Sequence, residues 1–357
     1  MNQYQNLLLS MALLLSFSCY AQDEGQDSTG CNFKVYPLPA IGHSPETGTY
    51  FGAVALATFR STPDTNTRES NAKAEFNYSL KNQVIFEVGW NYFSPGERWF
   101  SESSFRFSRF PDLFYGYGRD SRDADEVQYN SNRVQIAVNA LYQVREKLFI
   151  GPMLRFQSYS NINYLDGDSA SFIQLSPFTV WGGGLELRKD LRNNLLTPTE
   201  GYLSSWRFSL NTTSRSTYLK FQPDQRVYIG DKKLLWANRL YADWNFGDAP
   251  PFFDRALLGG DQVVRGIYLG RFRDRMLTTL QTELRWMAFW RIGFTAFGGI
   301  SDAHPSLDKI SIAELKYNAG AGFRFLVDRE SNISLRFDYA VASNGQNGFY
   351  VAFGEAF

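Results

Sequence analysis

What most constrains this chain is an alternation of period two that recurs in segment after segment, with one face almost entirely aromatic or aliphatic and the other rich in charge. From 331 to 342 the odd positions are Ile333, Leu335, Phe337, Tyr339 and Val341, and the even ones Asn332, Ser334, Arg336, Asp338 and Ala340. From 84 to 92, Val84, Phe86, Val88, Trp90 and Tyr92 oppose Glu87 and Asn91. From 277 to 290, Leu280, Leu284, Trp286 and Trp290 oppose Gln281, Glu283 and Arg285. The fold class is therefore all-β. Past the N-terminal segment no run approaches the roughly 18 apolar residues that a membrane helix needs.

A soluble sandwich would also alternate, so the contents of the two faces must decide. The polar face carries Glu102, Arg155, Glu186, Arg207, Arg239, Asp243, Arg324 and their like, which suits water or a polar lumen. Aromatic residues make up 17% of the chain, and the apolar face is too uniform for two sheets to bury in every strand, whereas a barrel in lipid uses all of it. The expectation is a transmembrane antiparallel β-barrel of sixteen strands over residues 33–357. With both termini in the periplasm, the short connections at 145–146, 230–231, 290–291 and 328–331 fall inside and the long ones at 110–126, 160–177, 247–276 and 302–315 outside. Two inner turns, 61–70 and 189–199, are longer than that rule expects. Tyr92, Trp99, Trp181, Trp286 and Trp290 at strand ends read as an interfacial girdle.

The apolar run Leu7 to Leu15 reads as the core of a signal peptide, residues 1–21, cut after Ala21 and leaving 22–32 as a short periplasmic linker. Lipidation at Cys19 competes with this, but Phe17 stands where that signal needs small residues. The balance of 36 Lys and Arg against 36 Asp and Glu gives no field for nucleic acid. Two cysteines, Cys19 and Cys31, and two histidines, His43 and His304, cannot build a thiolate or histidine-rich metal centre, so no cofactor or metal is expected. An enzyme would have to rest on His43 or His304, and His43 beside Ser44 reads more simply as an interfacial polar residue.

Several stretches occur in the order found in a known family. They are Ser44-Pro45-Glu46-Thr47-Gly48, Phe114-Tyr115-Gly116-Tyr117-Gly118-Arg119-Asp120, Asp190-Leu191-Arg192-Asn193-Asn194 with Pro198-Thr199-Glu200-Gly201, Leu258-Gly259-Gly260 with Val264-Arg265-Gly266-Ile267-Tyr268, and the terminal Val351-Ala352-Phe353-Gly354-Glu355-Ala356-Phe357. Together they resemble the BamA-type surface-antigen superfamily, which includes BamA, TamA and the TpsB secretion barrels. The resemblance implies that the connection 247–276 folds back into the lumen with Arg265 and Gly266 at its tip. A buried guanidinium needs an acid. The slot where the family commonly has an inward aspartate holds Phe297 here, so Glu283, inward by parity, is the first candidate, and Asp302, at the outer rim with lipid-face parity, the second.

The resemblance further implies a terminal insertion signal at Phe353, Gly354 and Phe357, with the Phe357 ring on the lipid face, and a weakly zipped closure between the first and last strands. Pro37 and Pro39, two apart in the first strand, remove N–H donors from one edge and fit that lateral seam, or merely begin the strand. Between the presumed cut and the first strand only 22–32 remains, so a barrel without the family's POTRA domains is expected. The expected function is a non-enzymatic outer-membrane barrel acting in or beside protein insertion or translocation. Its partners would be outer-membrane lipid and either unfolded barrel clients or a separate periplasmic protein. A passive channel or structural barrel is the alternative.

Overall fold

The computed structural model describes residues 33–44, 46–64, 66–165, 176–328 and 333–357. The expected signal segment, the linker 22–32 and both cysteines lie outside the described residues. The strands are β1 (Lys34–Ser44), β2 (Gly48–Phe59), β3 (Ser70–Ser79), β4 (Val84–Phe93), β5 (Trp99–Phe114), β6 (Val127–Asn139), β7 (Leu141–Arg145), β8 (Leu148–Tyr164), β9 (Phe178–Asp190) and β10 (Gly201–Thr212). They continue with β11 (Thr217–Gly230), β12 (Leu234–Gly247), β13 (Ala256–Leu258), β14 (Phe272–Asp274), β15 (Met276–Phe289), β16 (Ile292–His304), β17 (Lys316–Asp328), β18 (Ile333–Ala342) and β19 (Asn347–Phe353). Among the described residues, seventeen of these form one antiparallel meander, while β13 and β14 pair with each other inside the connection between β12 and β15. Because β19 lies beside β1, the meander returns on itself as a barrel.

The strand count differs from the expected sixteen because the stretch 127–142 is broken at Ala140. Both fragments, β6 and β7, pair with β5 on one side and β8 on the other, so they are successive pieces of one stave. The cause is local: the Glu102 N–H donates to the Asn139 side-chain oxygen at 2.6 Å instead of to a backbone carbonyl.

Burial is inverted relative to a water-soluble protein. Along β15, Leu280, Leu284 and Trp286 are about half exposed, while Glu283 on the opposite face is 0% exposed. Charge buried within and bare aromatic surface without is what a lipid-facing barrel demands, since water can reach only the lumen. Trp99, Trp181 and Trp290 are likewise exposed.

Two strands run further than their sequence suggests. The connection expected from 110 does not begin there, because β5 continues to Phe114 with Pro111 opposite Asn130. Beyond it, Phe114, Val127, Tyr129 and Tyr159 form a buried cluster with Phe252 and Phe253 from the long connection, so tertiary packing carries β5 and β8 past the barrel wall. That end of the barrel is the loop end below; the opposite one, with the short connections, is the turn end.

Candidate functional site

The connection 248–275 enters the barrel and is gripped twice. On its first leg Phe253 stacks on Tyr159 at 4.1 Å between ring centroids, and Phe252 meets Phe114 edge-on at 4.4 Å. Next to them Asp254 accepts hydrogen bonds from Arg155 (2.5 and 2.9 Å) and from the Tyr218 hydroxyl, while Lys220 donates to its backbone carbonyl at 3.1 Å. Burial alone would raise the Asp254 carboxyl, but Arg155 and Lys220 outweigh it and hold it below the usual carboxylate range. The second leg crosses β13 as β14, and Ala256, Leu258, Val264, Ile267 and Phe272 pack with Leu277 and Ala303 of the wall.

At the tip, Arg265 is 5% exposed and its guanidinium reaches two carboxylates, Glu283 of β15 at 2.5 Å and Asp338 of β18. Its Cζ sits over the Phe297 ring, 3.4 Å from the centroid, so the residue in the family's aspartate slot supplies a π face instead of a charge. Its own carbonyl accepts from Asn318 at 2.8 Å. Gly266 follows with φ 96°, and a Cβ there would meet Ala340 at 3.2 Å, so both its left-handed backbone and its close approach to β18 require glycine.

The two acids are shared. Arg285 donates to Glu283 at 2.6 Å, Arg324 to Asp338 at 2.5 Å and to Glu355 at 2.9 Å, and Arg336 to Asp338 at 2.9 Å and Asp261 at 2.5 Å. Arg265, Arg285, Arg324 and Arg336 thus face Glu283, Asp338, Glu355 and Asp261, a balanced cluster in which no buried charge is isolated. Asp338 is the partner of Arg265 that sequence reasoning did not assign. Its signal was present, because it shares the inward parity of Arg336 two residues earlier.

Asp302 is not brought to Arg265. It is buried at the rim and pairs with Arg119 at 3.0 Å, which covers a position whose parity points outward. Of the two histidines, His43 lies near the end of β1, and His304 is buried with Nδ1 2.9 Å from the Ser306 carbonyl and Nε2 3.3 Å from the Thr278 hydroxyl. Among the described residues no group of three or more His, Cys, Asp or Glu is arranged to hold a metal ion.

The C-terminal residues need a correction, because the Phe357 ring is not on the lipid face. Gly354, with φ 75°, turns the chain off β19 after Phe353, and parity no longer applies beyond it. Phe357, 4% exposed, packs with Tyr228, Leu235 and Ala237 on the inner wall, and its carbonyl accepts from Arg285 at 2.9 Å. Beside it the Glu355 N–H donates to the Leu196 carbonyl at 3.1 Å.

That bond joins the tail to the long turn between β9 and β10. There Arg68, from the other long turn, pairs with Glu97 at 2.9 Å and donates to the Asp190 carbonyl at 3.1 Å, while Arg192 pairs with Asp190 at 2.8 Å. Both long turns therefore reach other turns at the turn end, where Leu195 packs on the Phe93, Phe100, Leu141 and Phe149 cluster. A cavity of about 460 Å³ is lined by Leu195, Leu196 and Glu355 of these closing elements, by Gln262 of the long connection, and by wall residues such as Glu102 and Arg207.

The closure between first and last strands differs from every other junction. Ladders join each neighbouring pair from β1 and β2 through β18 and β19, but among the described residues none joins β19 to β1. The β1–β2 register runs unbroken through Pro37, opposite Ala55, and Pro39, opposite Ala53. Alternate residues of an antiparallel strand turn their N–H groups away from the partner, so both donor-less positions fall on the edge towards β19. A side chain does cross it: Tyr50 of β2 passes over Gly42, where no Cβ would fit beneath its ring, and its hydroxyl donates to the Val351 carbonyl at 3.3 Å.

The Omp85 superfamily domain matches residues 66–357. The chain belongs to the Omp85 superfamily. Two solved structures resemble it in fold. BamA from Haemophilus ducreyi lacking POTRA domains 1–3 matches 91% of this chain and 70% of its own at a TM-score of 0.54 and 11% identity. CdiB from Acinetobacter baumannii matches 89% of this chain at 0.57 and 12% identity, and only 59% of the CdiB chain is covered. No curated protein shows significant similarity. Omp85 membership supports an outer-membrane barrel, and the two structures share its fold.

Proposed function

We propose that this Omp85 barrel assists the insertion or translocation of other proteins at the outer membrane without chemical catalysis, and that the β1–β19 edge is where it opens sideways. The observation that carries the reading is the lack of a ladder at that one junction among the described residues, on the side where Pro37 and Pro39 remove two donors. A passive channel is less well supported, because the connection 248–275 occupies the lumen and the tail crosses the turn end. Arg265, held by Glu283 and Asp338, is proposed as the lock of that connection. The partners are then outer-membrane lipid and an unfolded barrel client, with or without a separate periplasmic protein.

Two measurements on the purified barrel test this. In lipid vesicles it is expected to speed the folding of a small urea-unfolded outer-membrane barrel at least several-fold over vesicles alone. In planar bilayers it is expected to give small, flickering currents. Large steady conductance steps together with no acceleration would establish a channel instead.

A further inference from the structure

Three consecutive contacts of the locked connection fall on the two sides of the unzipped edge. The Gly266 N–H donates to the Tyr350 hydroxyl of β19 at 2.9 Å, and the Tyr268 N–H to the Gln346 side-chain oxygen, in the turn before β19, at 3.0 Å. The Leu269 N–H donates to the Glu46 carboxylate, in the turn between β1 and β2, at 2.8 Å. Within four residues, backbone donors thus hold acceptors that belong to opposite edges of one closure. We propose that residues 266–269 are a clasp that holds the loop end of the β1–β19 seam shut, so that release of Arg265 from the lumen and opening of the seam are one event.

The inference rests on reading that seam as the opening, and the geometry explains why the clasp is built from backbone. The φ of 96° at Gly266 turns its N–H towards Tyr350 while its α-carbon lies against β18. Arg265, immediately before it, is fixed by Glu283 and Asp338 on the neighbouring wall, so the clasp cannot move away while the arginine stays paired. On the far side the Tyr268 hydroxyl donates to Asp112 of β5 at 2.6 Å, which fixes the other end of the clasp to a part of the wall remote from the seam. Tyr50, bonded to Val351, adds a side-chain contact further along the same edge. A strand edge held by a few side-chain acceptors opens when those acceptors are lost, since buried N–H groups must find partners.

Hydrogen exchange of the full barrel in lipid nanodiscs, followed by mass spectrometry, tests the coupling. In the triple variant Glu46→Ala, Gln346→Ala, Tyr350→Phe, exchange within 34–44 and 347–353 is expected to rise at least tenfold while 201–230 on the far wall is unchanged. Glu46→Ala alone, which removes one acceptor from the turn between β1 and β2, is expected to raise the same two segments several-fold, and Arg265→Ala to reproduce the pattern. Unchanged exchange in those segments, or an equal rise across the whole barrel, would overturn the clasp. The readout is separate from function: selective exchange in a barrel that fails to speed client folding would keep the clasp and remove the assembly role.

Discussion

Asp338→Asn is expected to destabilise the barrel more than Arg265→Ala, by about 3 to 5 kcal/mol if the site is as dry as its burial indicates. Asp338 is 0% exposed and takes hydrogen bonds from Arg265, Arg324 and Arg336. Removing its charge without changing its shape leaves Arg265, Arg285, Arg324 and Arg336 facing only Glu283, Glu355 and Asp261. Removing Arg265 is milder, because Glu283 keeps Arg285 at 2.6 Å and Asp338 keeps Arg324 and Arg336. Guanidinium unfolding in detergent, followed by gel mobility with and without heating, gives the order. An Arg265→Ala barrel at least as unstable as Asp338→Asn would show that the cluster is not shared in this way. A cycle of Arg265→Ala with Glu283→Ala gives the pair itself, and a coupling below about 0.5 kcal/mol would show that the two act independently.

The second large effect belongs to the other grip on the connection. Phe253→Ala removes a ring stacked on Tyr159 and Phe178 and packed edge-on against Tyr129, and losses of about 3 to 5 kcal/mol accompany such truncations in packed cores. The same change loosens the first leg, still held by Asp254 and Phe252, without touching the tip. Since either grip alone retains part of the connection in the lumen, conductance is expected to rise modestly in Phe253→Ala or Arg265→Ala and steeply in the double variant. Equal conductance in the single and double variants would mean that one grip suffices to place the whole connection.

The strand frame was legible in the sequence because parity along a strand is a local property: Trp286 out and Glu283 in follow from spacing alone. What parity cannot see is a change of backbone state. Gly354 ends the period for Phe357, so the ring was placed outside, and the Asn139 side chain interrupts it at Ala140, so one expected strand is divided into β6 and β7. The end of β5 was missed in the opposite sense, since the strand is carried past 109 by packing of Phe114 against Phe252 from far along the chain. The acids around Arg265 depended on long-range register. Glu283 was within reach of alternation, but Asp338 meets Arg265 only because the barrel brings β15 and β18 to one inner face, and Asp302 was drawn off by Arg119. Nothing local announced that the tail and the two long inner turns would meet at the turn end, although their excess length marked them as more than simple reversals.

The central claim, that this barrel works through a weakly closed β1–β19 edge, is tested most directly by stitching that edge. Pro37→Val with Pro39→Val restores two N–H donors on the side facing β19, each inter-strand bond adding about 0.5 to 1.5 kcal/mol. The double variant is expected to resist thermal unfolding longer than the parent barrel and to lose its acceleration of client folding in vesicles. A double variant that unfolds at the parent temperature, or one that is more stable and still folds clients at the full rate, would contradict it.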